Sequence, residues 1–116
     1  MIPYGRQDIN QDDIDAVVAV LHSNFLTQGP LVPVFERTVA DYCGAEHAVA
    51  VNSATSALHI ACSALGVGKG DIVWTTPVTF VASANCALYC GATVDFVDID
   101  PFTYNLSATR LAEKLD

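Results

Sequence analysis

Three short apolar runs, each followed by a turn of small or breaking residues and then by a segment with helical spacing, constrain this chain most. The runs are His47–Val51, Asp71–Thr75 and Thr93–Val97. Each is short enough for a strand and too short for a membrane span, which needs about 20 apolar residues. The segments between them predict helices from about Thr55 to Leu65, closed by Gly66, and from Thr79 to Cys90, closed by Gly91. Strand–helix alternation of this kind predicts an α/β fold, a mostly parallel sheet with flanking helices. Composition agrees: 52% hydrophobic with 16% charged residues argues against disorder.

Two helices are predicted ahead of this pattern. Asn10 can cap the first, with Asp13 placed as a capping-box acid, and Ile14, Val17, Leu21 and Phe25 follow at helical spacing. Thr27-Gln28-Gly29-Pro30 breaks it. Pro30 suits the first turn of a second helix, whose stripe is Phe35, Val39 and Tyr42 and whose stop is Gly44. A further helix begins near Ser107 and runs to the end. The chain therefore reads as one partial domain over residues 1–116, with N-terminal helices in 1–44 and a βαβαβ portion in 45–116. Three parallel strands leave two open sheet edges and the sequence stops inside a helical pattern, so the expectation is the front part of a longer protein.

Net charge narrows the partners. At −8 the surface repels phosphate backbones, which argues against nucleic acid. Met1-Ile2-Pro3-Tyr4-Gly5-Arg6 is not followed by the apolar stretch of a signal peptide, so a cytoplasmic location is expected. Cys43, Cys62, Cys86 and Cys90 include no CxxC pair and have no His at finger-like spacing, so they read as reduced, buried small hydrophobes and no metal site is expected.

The turn Asn52-Ser53-Ala54-Thr55-Ser56 leaves the first run and opens a helix. A helix start has unpaired N–H groups and a partial positive charge, small residues let an anion approach, and three hydroxyls stand ready as donors. An ordinary Ser/Thr cap accounts for the same residues. The turn has neither the GK[ST] of a P-loop nor a three-glycine dinucleotide fingerprint, so it favours neither ATP nor NAD. Phe80 stands in the equivalent place after the second run, where its ring could stack on a flat ligand or fill the core.

Taken together, Leu26-Thr27-Gln28-Gly29-Pro30, Val51 to His59, Gly70-Asp71, Thr79 to Asn85 and Phe96-Val97-Asp98-Ile99-Asp100 resemble the DegT/DnrJ/EryC1/StrS sugar aminotransferases along essentially the whole chain. Asn52 to His59 and Ala84 to Ala92 look most like the pseudaminic-acid-pathway branch, although many other members have Gly where Ala54 stands. The resemblance implies the N-terminal part of the large domain of a fold type I transferase that depends on pyridoxal 5'-phosphate. It implies amino transfer from glutamate to C4 of a UDP-linked 4-keto-6-deoxy-N-acetylhexosamine, by a homodimer with shared active sites. It assigns Ala54 and Thr55 to the cofactor phosphate, Phe80 to the pyridine ring, and Tyr4, Asn24, Phe25, Leu26, Thr27 and again Ala54 to the sugar nucleotide. The family's cofactor-binding lysine lies beyond residue 116, and neither Lys69 nor Lys114 matches it. No catalytic residue is therefore assigned within this chain. A dehydratase of the same family, and a non-catalytic anion- or nucleotide-binding module, remain open as alternatives.

Overall fold

The computed structural model describes residues 5–115. The chain divides into two compact units, Met1–Ala50 and Val51–Asp116.

The first unit holds α1 (Gln11–Leu21) and α2 (Leu31–Cys43). The capping box at α1 forms as its sequence predicts: the Asn10 side chain accepts from the N–H groups of Asp12 and Asp13, and the Asp13 carboxylate accepts from the Asn10 N–H at 2.9 Å. The helix ends four residues before Phe25, because the Ser23 hydroxyl bonds both the N–H and the carbonyl of Phe25 and folds the chain away. The stripe Ile14, Val17 and Leu21 lies exposed. Pro30 takes the cap position of α2, and Gly44 closes it in the left-handed conformation that favours glycine, at φ 64°. Arg37 and Asp41 pair one turn apart along α2, at 3.1 Å.

One expectation fails here. His47–Val51 is not a strand, and Val49 is 73% exposed. A strand exists only through ladder partners. The Ala50 N–H instead donates to the Glu36 carboxylate of α2 at 2.8 Å. The predicted βαβαβ is therefore βαβ among the described residues.

The second unit runs α3 (Ala54–Ala64), β1 (Ile72–Thr75), α4 (Ala82–Tyr89), β2 (Thr93–Phe96) and α5 (Ala108–Leu115). β1 and β2 pair in parallel, with Ile72 opposite Thr93 and Thr75 opposite Phe96. Helix α4 is the crossover between them and packs on both strands and on α3. Its inward residues are small: Ala82, Cys86 and Ala87 are buried, with Ala92 and Val97 beside them. Small side chains let neighbouring backbones approach closely, so this is where the core of the unit forms. On the α3–α4 face, His59 meets the Tyr89 ring edge-on, with centroids 5.3 Å apart.

Helix α4 starts three residues later than its apolar pattern predicts, because Pro77–Thr79 bends and Phe80 stands before the helix. Of the four cysteines, all are free, but only Cys86 is buried and Cys43 is exposed, against the expectation that all four fill the interior. Asp95 joins β2 to its surroundings. Its carboxylate accepts from the Lys114 ammonium of α5 and from the Trp74 indole N–H of β1. The Lys114 hydrogen bond, with the Phe96 N–H and Trp74 behind it, holds the Asp95 carboxyl below the usual carboxylate range.

Candidate functional site

The start of α3 is built from its cap outward. Ser53 is extended, at φ −162° and ψ 156°, and its hydroxyl accepts from the Ser56 N–H at 3.2 Å. The Asn52 side-chain oxygen then accepts the Ser56 hydroxyl at 2.7 Å and the Ser53 hydroxyl at 3.3 Å. These bonds fix the turn without using its first donors. The Ala57 N–H goes to the Ser53 carbonyl, while the N–H groups of Ala54 and Thr55 have no acceptor among the described residues. The first turn of α3 carries no acidic residue. Ala54 is exposed and Thr55 half-buried, so two adjacent backbone donors face an approachable surface at the positive end of a helix dipole.

These features fit a phosphate group. The donors are unpaired, the side chain at Ala54 is a single methyl, and no carboxylate lies in the first turn to repel an anion. The turn's own hydrogen bonds show that Ser53 and Ser56 act as a cap, and they leave the Ala54 and Thr55 N–H groups unused.

Phe80 lies at the end of the bend that leaves β1 and enters α4. It is 74% exposed, so its ring does not serve the core of this unit. Val78 N–H bonds the Thr76 hydroxyl, and the hydroxyls of Thr79 and Ser83 lie 3.3 Å apart, which ties this bend to the helix that follows. Ala54 and Thr55 start α3 and Phe80 precedes α4, and these two helices pack against one another.

Asn24, Phe25, Leu26 and Thr27 lie in the first unit, all exposed. Phe25 and Leu26 line a cavity of about 320 Å³ with Val20, Pro30 and Val32, and its walls are largely apolar; Asn24 and Thr27 are not among its lining residues. The turn that follows is tight. Gln28 has φ 51°, and a Cβ on Gly29 would come within 2.9 Å of the Phe25 Cβ, so this position needs glycine. Tyr4 lies outside the described residues.

Neither lysine stands at the start of α3. Lys69 precedes β1, at the end of that strand opposite Thr76–Phe80, and Lys114 is held by Asp95. Among the described residues no group of three or more His, Cys, Asp or Glu could hold a metal ion, and no helix is long and apolar enough to cross a membrane. The free N–H groups at this helix start were expected from the sequence; what sequence reasoning missed is the Asn52 side chain, which accepts the Ser56 and Ser53 hydroxyls. The Asn directly before a Ser cap was the available signal.

A UDP-4-amino-4,6-dideoxy-N-acetyl-beta-L-altrosamine transaminase of Campylobacter jejuni is 52% identical over 99 residues, covering 85% of this chain and 26% of its own length. A GDP-perosamine synthase of Caulobacter vibrioides is 42% identical over 104 residues, 89% of this chain and 28% of its own length. The chain thus spans about a quarter of the length of the curated relatives it matches. A protein of Streptococcus pneumoniae assigned as a sugar aminotransferase, solved in its PLP form, superposes with a TM-score of 0.90 at 35% identity, over 97% of this chain and 29% of that one. It places this α/β chain among the fold type I aminotransferases. The family profile for the DegT/DnrJ/EryC1/StrS aminotransferases matches residues 7–116, and the chain belongs to that family.

Proposed function

We propose that this chain forms the cofactor-holding front of a cytoplasmic, homodimeric nucleotide-sugar aminotransferase that uses pyridoxal 5'-phosphate. The parent enzyme moves an amino group from glutamate to C4 of a UDP-linked 4-keto-6-deoxy-N-acetylhexosamine. The observation that carries this reading is the start of α3, where two adjacent backbone donors are left over after the cap is complete. The 52% identity to a transaminase named for the corresponding altrosamine sugar supports the choice of substrate.

Each residue has a defined task. The N–H groups of Ala54 and Thr55 and the Thr55 hydroxyl hold the phosphate. The single methyl of Ala54 leaves room for the sugar nucleotide beside it. The exposed ring of Phe80 covers one face of the pyridine. Tyr4 and Asn24 to Thr27 line the sugar-nucleotide side. When bound, the cofactor supplies an electron sink, and the protein's part is to fix its orientation. The family's cofactor-binding lysine is not among the residues of this chain assigned to the site, so proton transfer falls to other parts of the parent enzyme.

The test is an assay of the full-length protein with pyridoxal 5'-phosphate, glutamate and the UDP-linked 4-keto sugar. The expected product is the 4-amino sugar, with 2-oxoglutarate formed in equal amount. A dehydrated sugar without nitrogen, or no turnover with any 4-keto nucleotide sugar, contradicts the reading. The 116-residue chain alone is expected to give no amino sugar above a protein-free control, because neither Lys69 nor Lys114 stands at the phosphate site.

A further inference from the structure

One carboxylate joins three elements of the second unit. Trp74 and Asp95 stand opposite one another in the β1–β2 register. The Trp74 indole N–H donates to Asp95 Oδ2 at 3.1 Å, and the Lys114 ammonium of α5 donates to the same oxygen. The Phe96 N–H donates to Oδ1 at 2.8 Å. Of these bonds, two stay within the sheet and the Lys114 bond reaches out to α5.

The two ends of α5 are held very differently. Its start is fastened to the chain that leaves β2. The Ser107 N–H donates to the Asp98 carbonyl at 3.0 Å, Ile99 and Leu106 form an antiparallel bridge, and the Ser107 hydroxyl accepts the Arg110 N–H at 3.3 Å. Its last turn reaches the sheet, among the described residues, through Lys114. α3, α4, β1 and β2 pack on one another, whereas the α5 backbone approaches none of them and no α5 residue is buried. A cavity of about 390 Å³ lies between α5 and the end of β2, lined by Phe96, Val97 and Asp98 on one side and by Arg110, Glu113 and Lys114 on the other. A helix of eight residues is marginal without a packed face.

We propose that α5 is a strap, hinged at Ser107 and pinned at its last turn by the Lys114–Asp95 ion pair, which loosens as ionic strength rises while the sheet beneath stays closed. The two bonds to Asp95 Oδ2 differ in what breaks them. The Lys114 and Asp95 side chains are 36% and 49% exposed, so dissolved ions screen their attraction. The Trp74 bond has a neutral donor and spans two strands that their own backbone ladder holds together, so screening does not part it. Once unpinned, the last turn of α5 has no buried side chain to hold it and opens locally, without the rest of the unit.

The test is hydrogen exchange of the full-length protein, read by NMR at the backbone amides of residues 112–115, at the strand amides and at the Trp74 indole N–H. Sodium chloride is raised from about 0.01 M to about 1 M, which shortens the screening length from roughly 30 Å to roughly 3 Å. The α5 amides should exchange roughly two- to fivefold faster at high salt, as loss of an exposed ion pair gives, with the indole and strand amides unchanged. Lys114→Met should exchange fast at both salt concentrations, keeping the indole protection and the unfolding temperature. Lys114→Arg, which keeps the charge, should restore both the protection and its salt dependence. α5 amides that ignore salt, a Lys114→Met variant with the same protection or the same salt dependence as the unmodified protein, or salt that speeds α5 and sheet amides alike overturns the proposal.

Discussion

At the start of α1, the Asn10 side chain accepts two backbone donors, the Asp13 carboxylate returns a bond to Asn10, and Asp12 and Asp13 fill the first turn with negative charge. At the start of α3, the Ser53 hydroxyl accepts one donor, Asn52 holds the hydroxyls in place, and no acid lies in the first turn. Both sequences read as good helix caps. The difference is in what the cap leaves over. α1 supplies its own anions and closes itself. α3 leaves Ala54 and Thr55 as an adjacent pair of donors with no carboxylate beside them. At α3 the cap is satisfied by neutral groups that spare its first N–H groups, which is what the proposed anion site requires.

The loop after β2 shows the same donors with their anion built in. The Asp100 carboxylate accepts the N–H groups of Phe102 and Thr103 at 2.8 and 2.9 Å. At α3 no side chain plays that part.

The largest effect is expected from giving α3 the charge that α1 has. Thr55→Glu places a carboxylate in the first turn of α3, and should weaken binding of pyridoxal 5'-phosphate to the full-length protein by more than about tenfold, equivalent to over ~1.4 kcal/mol. Its unfolding temperature should hold or rise slightly, since an acid near a helix start is stabilising. Equal affinity in the variant, by calorimetry, would break the comparison. Phe80→Ala tests whether the α3 start acts alone. Loss of stacking should weaken cofactor binding by roughly 2- to 10-fold, from about 0.5–1.5 kcal/mol. With the ring 74% exposed, denaturant unfolding should change little, and a large loss of stability would instead make Phe80 a packing residue.

Asn10→Ala is the reverse control. It removes the acceptor for Asp12 and Asp13 and should cost about 1 kcal/mol of stability, with cofactor affinity unchanged. The smallest effect is on titration. The Thr103 N–H, then the Phe102 N–H, hold the Asp100 carboxyl below the usual range. A folded value below the unfolded one contributes stability at pH above about 3.9, lost as pH falls through the folded value. Carboxyl NMR titration should place Asp100 below the exposed carboxylates, and an ordinary value would show that paired backbone donors do little for an anion here.

Much of this was legible in the residues. The cap at Asn10, the stops at Gly44, Gly66 and Gly91, both paired strands and the turn at Ser53 follow from side-chain type and local spacing. His47–Val51 did not, because an apolar run specifies a strand only when a partner completes its ladder, and Glu36 takes the Ala50 N–H instead. The late start of α4 was missed because the apolar pattern runs through Phe80 while Pro77 bends the backbone. At the candidate site the residue types were readable. The Asn52–Ser53–Ser56 hydrogen bonds that build the cap were not, because no periodicity encodes those.

The most direct test follows backbone amide resonances of the full-length protein as pyridoxal 5'-phosphate is added. The account predicts that the Ala54 and Thr55 amides shift on binding, that inorganic phosphate shifts the same two more weakly, and that the Asp12 and Asp13 amides stay in place. Cofactor binding that leaves Ala54 and Thr55 unmoved, or that moves the α1 amides as much as those of α3, would contradict it.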